Sequence, residues 1–297
     1  MATTHDSLWP RASSLLTSVR APKTVAMVGV STYESSLSPR SPTSTPSAIR
    51  AALAYYSTWS FHGEFDLASS INVRDLGDVE RPDDDGARER LRAMLTGERD
   101  DLVVVLGGDN AATWLGAGAL FDGALASAGL ITLDAHLDLR DGRSNGSPVR
   151  QLLEEGLAPT AVVQVGLAEF ANAPAYARRA HERGLTSIAR RDFDVETPEA
   201  LAARALAIAG ADDRAIYVDL DFDVVDRAAV PGCPAAAPGG ISPHELRRFA
   251  RALARDERVV AVDLTEIDVE RDVNEVTVRL AALVVLELLA GVCERAT

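Results

Sequence analysis

Short β-branched runs alternate with longer alanine- and leucine-rich segments along nearly the whole chain, and this alternation restricts the fold more than any other feature. Strands are expected at 24–30, 70–75, 102–106, 130–134, 161–165, 186–189, 215–219 and 259–264. Helices are expected at 46–57, 87–96, 111–121, 148–155, 174–183, 198–209, 243–255 and 276–292. Such a rhythm predicts a largely parallel sheet with helices on both faces. Runs such as LVVVL at 102–106 have no polar side, as expected of strands buried on both faces. No linker or internal repeat divides the chain, so residues 1–297 read as one domain.

Local punctuation agrees. Ser242-Pro243-His244-Glu245 places a capping serine, a proline at the first helical position and a glutamate able to close a capping box. The Ser-, Pro- and Thr-rich stretch 31–47 reads as a long loop after the first strand, placed to form a lip over a site. The net charge of −14 argues against nucleic acid as a partner, because phosphate binding needs a basic surface. An anionic substrate would need a local arginine cluster acting against the global field. Two widely separated cysteines, Cys233 and Cys293, suggest no disulfide framework and fit a reducing cytoplasm. The opening MATTHDSLWPRASS has no apolar core of a secretory signal. The apolar run 280–290, with Glu287 inside it, is too short and polar to span a membrane and reads as a buried helix.

In open parallel sheets, ligands bind beyond the carboxyl ends of the strands. Four strands here run into acidic groups: Gly107-Gly108-Asp109-Asn110, Asp134-Ala135-His136-Leu137-Asp138, Asp219-Leu220-Asp221-Phe222-Asp223 and Asp263-Leu264-Thr265-Glu266. Carboxylates crowded at one edge repel one another and tend to take up protons. A divalent cation removes that problem, and oxygen ligands with one imidazole suit Mn²⁺ and similar ions. A lone Asp-x-Asp is usually a turn, and a lone histidine is usually structural. The conjunction of DAHLD and DLDFD, each directly after an apolar strand, favours a metal centre.

These motifs, with DLTEID at 263–268, resemble those of the arginase/agmatinase/formimidoylglutamase superfamily, the ureohydrolases. The resemblance covers the chain from first strand to last helix. It implies a three-layer α/β/α sandwich around a parallel sheet of eight strands, with two Mn²⁺ ions. It also implies that Asp134 and Asp221 bridge the ions, that Asp138 completes one site, and that His136 with Asp223 completes the other. Glu266 matches a glutamate that contacts substrate; it and Asp138 are the expected catalytic proton carriers. The chain departs from the family pattern in three places. Asn110 replaces a metal-binding histidine, and a neutral amide is a poorer Mn²⁺ ligand, so one site is expected to be weakened. Asp219 stands where the family usually has serine. Ser144-Asn145-Gly146-Ser147-Pro148 replaces the His-Gly-x-Pro segment of arginases and agmatinases.

The segment from Arg140 through Asn145 to Arg150 is similar to that of formimidoylglutamases, which hydrolyse N-formimidoyl-L-glutamate to glutamate and formamide by means of a metal-bound hydroxide. Arg140 and Arg150, with Asn145, are the expected substrate contacts, since guanidinium forks suit carboxylates. The plainer alternative is that these arginines pair with surface acids such as Glu154. Two other readings remain open from sequence: a ureohydrolase for a guanidino compound (guanidinobutyrase, agmatinase or arginase type) and a metal-impaired, non-catalytic homologue. The family forms trimers and hexamers, so a homo-oligomer is expected by analogy alone.

Overall fold

The runs read as strands pair side by side, and every pairing between them is parallel. The computed structural model describes residue 6 and residues 8–17, 21–38, 44–97 and 100–296. In chain order the strands are β1 (Lys23–Val30), β2 (Trp59–Ser60), β3 (Phe65–Asp66), β4 (Ile71–Asp78), β5 (Leu102–Gly107), β6 (Ala128–Leu133), β7 (Val162–Leu167), β8 (Thr186–Ala189), β9 (Ala215–Asp221) and β10 (Val259–Thr265). Among the described residues, eight of them form one sheet in the order β4-β1-β5-β10-β9-β6-β7-β8, while β2 and β3 make a separate hairpin. The hairpin escapes sequence reading because two-residue strands carry no periodicity.

The helices are α1 (Thr45–Ala52), α2 (Leu67–Ser70), α3 (Ala87–Leu95), α4 (Ala111–Leu120), α5 (Pro148–Glu154), α6 (Pro174–Arg183), α7 (Pro198–Ala209), α8 (Pro243–Ala254) and α9 (Val276–Cys293). One apolar layer joins α1, α7, α8 and α9 to one sheet face, and a second joins α3, α4, α5 and α6 to the other. This is the α/β/α sandwich with an eight-stranded parallel sheet. The α8 capping box forms as expected: Ser242 Oγ accepts from the Glu245 N–H at 3.2 Å and Glu245 Oε2 from the Ser242 N–H at 2.6 Å. Helix α9 ends within one residue of the expected 276–292 and carries the apolar run 280–290. It has the length and hydropathy of a membrane-crossing segment, but 67% of it is buried inside the protein. In the long loop, residues 39–43 lie outside the described residues.

Strand periodicity positions the site. Side chains at i and i+2 share a face, so Tyr217, Asp219 and Asp221 line the α4 side of β9. Register sets Asp219 beside Asp263 of β10 and Thr132 of β6, and sets Asp221 beside Thr265. The face thus turns from apolar to acidic toward the carboxyl edge. Close approach at that edge depends on the glycine pair Gly107-Gly108 at the end of β5. A Cβ on Gly107 would lie 2.8 Å from the Leu264 carbonyl oxygen, and one on Gly108 would lie 2.2 Å from that of Thr32.

Candidate metal centre and active site

The DAHLD turn leaves β6 and folds back over the sheet edge. Asp134 Oδ1 accepts the His136 N–H at 2.6 Å, and Asp223 Oδ1 accepts the Ala135 N–H at 3.1 Å. Asn172, in the loop after β7, clamps the other side: its Oδ1 accepts the Leu137 N–H at 2.9 Å and its Nδ2 donates to the Ala135 carbonyl at 3.0 Å. His136 is thereby presented to the carboxylates, with Nδ1 2.7 Å from Asp223 Oδ2 and 3.4 Å from Asp134 Oδ1. Asp138 and Glu266 both take left-handed backbone, with φ of 51° and 62°. For residues with a Cβ this costs on the order of 1–3 kcal/mol each, a strain that clusters at functional sites.

Two groups of ligand-capable atoms result, each with its atoms within 4.8 Å of one another: Asp134, His136 and Asp223, and Asp134, Asp138 and Asp219. Asp134 belongs to both. Asp221 lies beside them on the cavity wall, with Oδ1 turned back to accept the Asp223 N–H at 2.7 Å. Asn110 is close to the cluster, but its Nδ2 donates to Asp138 Oδ2 at 2.5 Å and its Oδ1 accepts from Thr113 Oγ1 at 2.6 Å. The amide hydrogens thus face Asp138 and the amide oxygen faces Thr113. Beneath the site, Tyr217 OH donates to Asp263 Oδ2 at 2.9 Å. No motif in the sequence announces Asn172 or Tyr217. Asp219 is visible there only as an extra charge.

The electrostatics call for a cation. Burial, then the Asp223 charge, pushes Asp134 up to about 7. Burial followed by neighbouring carboxylates also raises Asp138, Asp219 and Asp221 well above the usual carboxylate range. Burial alone would lower His136, but the charge of Asp223 and the hydrogen bonds to Asp134 and Asp223 win, holding its proton up to about 12. Asp223 is lowered despite its burial, because that imidazolium faces it. The Asp134 and Asp219 Oδ2 atoms are buried and accept no hydrogen bond from the described residues. A desolvated carboxylate oxygen without a donor is costly, and a divalent cation satisfies such oxygens while it removes the need for protons. The residues present fit a divalent-metal centre.

A cavity of about 210 Å³ opens over this cluster. Its wall includes Asn110, His136, Asp138, Asp221, Asp223 and Glu266, and also Arg140, Asn145, Asn172 and Leu37. Asn145 Nδ2 and the Asn110 N–H both donate to Glu266 Oε1, at 2.8 and 2.9 Å. Arg140 is the arginine on this wall, and its guanidinium has no hydrogen-bond or ion-pair partner among the described residues. Arg150 lies apart. Its Nε donates to the Arg140 carbonyl at 2.7 Å, one terminal nitrogen to the Gly142 carbonyl at 2.5 Å and the other to Glu154 at 2.6 Å. The guanidinium is thus committed to bracing the 140–150 loop. The surface pairing considered for it is the one that forms.

The model of the arginase family matches residues 23–291. The chain belongs to the arginase family. Among curated arginase-family relatives, it is 34% identical to formimidoylglutamase of Halalkalibacterium halodurans over 90% of this chain and 86% of that one. It is 36% identical to formimidoylglutamase of Halobacterium salinarum over 83% and 80%. The crystal structure of Bacillus subtilis formimidoylglutamase superposes with a TM-score of 0.89 at 27% identity, covering 100% of this chain and 96% of that one. Trypanosoma cruzi formiminoglutamase with Mn²⁺ shares the fold at a TM-score of 0.86 and 21% identity, over 97% and 100%. The protein is therefore an arginase-family hydrolase of formimidoylglutamase-like type.

Proposed function

We propose that this protein hydrolyses N-formimidoyl-L-glutamate to L-glutamate and formamide, with Mn²⁺ as its metal. The observation that carries the reading is the joint presence, in one small cavity, of the carboxylate–imidazole cluster, Glu266 and Arg140, whose guanidinium has no partner among the described residues. The substrate has an amidine at one end and two carboxylates at the other, and the cavity offers a complementary group for each. The relatives at 34% and 36% identity carry that activity in their names, and the Trypanosoma cruzi protein was crystallised with Mn²⁺.

Asp134, Asp138, Asp221, Asp223 and His136 would hold the metal. When bound, a divalent metal would activate water as the nucleophile and polarise the amidine toward attack. The chain supplies the rest. Glu266, its Oε1 fixed by two N–H donors, has a set orientation from which to hold and deliver a proton to the departing nitrogen. Asp138, the other proton carrier expected from the sequence, serves here as a metal ligand, because a bound cation removes the need for its proton. Arg140 binds a substrate carboxylate through its planar fork. Its charge disfavours the cationic agmatine, which sets this reading above an agmatinase.

The test is glutamate release from N-formimidoyl-L-glutamate by Mn²⁺-loaded protein, with a chelated control and a parallel assay of urea release from guanidinobutyrate, agmatine and arginine. Chelator-sensitive glutamate release is the expected result. Urea release without glutamate release would replace it with a ureohydrolase. We also place the enzyme in the cytoplasm, in keeping with its two free thiols. The homo-oligomer expected by family analogy is to be checked by light scattering.

A further inference from the structure

Resting on the metal-centre reading above, we propose that Asp219 is a direct ligand of the cation held by Asp134 and Asp138, supplying the donor that Asn110 withholds. Three observations converge on it. Asp219 lies with Asp134 and Asp138 in a group whose ligand atoms are all within 4.8 Å of one another. Asp219 is wholly buried, its Oδ1 accepts from Thr265 Oγ1 at 3.2 Å, and its Oδ2 accepts no hydrogen bond from the described residues. Asn110, in contrast, is turned the wrong way to ligate. Its Nδ2 faces Asp138, and its oxygen is engaged by Thr113 and, at 3.3 Å, by Thr265.

The strand register gives the reason. Asp219 is two residues before Asp221 on β9, so both project from one face of the sheet, and Asp219 stands beside Thr132, two residues before Asp134. A serine in that place is shorter and neutral, and offers only a hydroxyl. An aspartate there adds a full negative charge to a pair of carboxylates that already repel one another. That charge is tolerable in a dry interior when a cation shares it. Asp219 thus brings a carboxylate to the cluster where Asn110 brings an amide N–H. The competing role for Asp219 is to share a proton with its register neighbour Asp263 and take no part in metal binding.

Metal binding can be read without turnover. Full-length protein is stripped with chelator and titrated with Mn²⁺ by calorimetry, with bound metal counted after gel filtration and the pair examined by electron paramagnetic resonance. Asp219→Asn keeps the shape, and Asp219→Ser shortens the side chain. Thermal melting without metal confirms that both variants fold. Groups that only orient metal ligands are worth about 10–100-fold in affinity, so loss of a direct ligand should weaken one site by about tenfold at least. The other site should be retained, and the spin-coupled signal replaced by that of an isolated ion. Either variant binding as many ions as the parent, with affinity changed less than about threefold, would overturn the role of Asp219 and leave the metal centre standing. A parent chain that binds no Mn²⁺ would overturn the metal centre itself.

Discussion

Asn145 and Glu266 are joined by a 2.8 Å hydrogen bond from Nδ2 to Oε1, and the Asn145 Oδ1 accepts the Leu37 backbone N–H at 2.9 Å. One amide therefore links the glutamate over the cluster to the loop after β1. The linkage explains why a segment lacking the histidine of arginases still belongs to the site: asparagine here orients a carboxylate. Asn145→Ala removes a hydrogen bond to a charged group, worth about 1.5–3 kcal/mol. kcat/KM for the formimidoyl substrate should fall by about tenfold to a hundredfold, with bound metal unchanged. Wild-type kinetics in the variant would remove Asn145 from the catalytic arrangement.

Arg140 and Arg150 belong to one loop and should fail in different ways. Arg140 lines the cavity with no partner among the described residues, so Arg140→Ala should raise KM by about a hundredfold, as loss of about 2–3 kcal/mol of charged hydrogen bonding implies, and should leave the melting temperature in place. Arg150 donates to two loop carbonyls and to Glu154. Arg150→Ala should lower stability by about 1–3 kcal/mol, measured by urea unfolding, and reduce turnover only through the displaced loop. Identical effects of the two substitutions on KM would contradict this division.

Stability without metal should fall as pH rises. Burial lifts Asp134 from 3.8 to about 7. A carboxyl whose folded pKa exceeds its unfolded value binds more protons when folded, so its contribution is present below pH about 4 and lost as pH rises through about 7. Asp138, Asp219 and Asp221 act in the same direction. His136, held protonated up to about 12, adds a loss on the alkaline side. The melting temperature of chelated protein should therefore be lower at pH 8 than at pH 5. Mn²⁺ should reverse the trend and release protons on binding, visible as a buffer-dependent enthalpy. A metal-free melting temperature that climbs over this interval would refute the electrostatic account.

Much of this was legible in the sequence because it depends on short-range periodicity. Apolar runs such as 102–106 announce buried parallel strands, and acidic residues directly after them mark the carboxyl edge where Asp134, His136, Asp138 and Asp223 meet. What stayed hidden depends on orientation. Asn110 reads as a weak ligand, yet which end of its amide faces the metal site is decided by Thr113 and Asp138, distant or unremarkable in the sequence. Asp219 reads as a stray charge until the register brings it beside Asp134 and Asp138. Arg150 looks equivalent to Arg140, and only the path of the loop separates them. Asn172 carries no motif at all, and the only cue is its place in the loop beyond β7.

The glycine pair at the end of β5 yields a test of how the site is held together. The Gly108 N–H donates to the Val30 carbonyl at 3.0 Å and its carbonyl accepts the Glu266 N–H at 2.8 Å, while the Asp109 N–H donates to the Thr32 carbonyl at 2.9 Å. The backbone of Gly108 is thus the point where the ends of β1, β5 and β10 are tied. A methyl group there would lie 2.2 Å from the Thr32 carbonyl oxygen and 2.8 Å from the Thr32 nitrogen, both backbone atoms that no side-chain rotation can move away. Overpacking of this kind costs about 1–3 kcal/mol, and the relief must come from parting β1 from β5. That movement carries Asn110 and Glu266 with it, because their hydrogen bond spans the same junction. Gly108→Ala should therefore lower the melting temperature and kcat together, with Mn²⁺ restoring part of the stability and little of the turnover. Gly97, whose added Cβ would meet nothing within 4 Å, is the control. Its substitution by alanine is strained by a φ of 119° and should lower stability while leaving kcat at the parent value. Equal losses of kcat at the two positions would show that general destabilisation, and not the tie between β5 and β10, sets the rate.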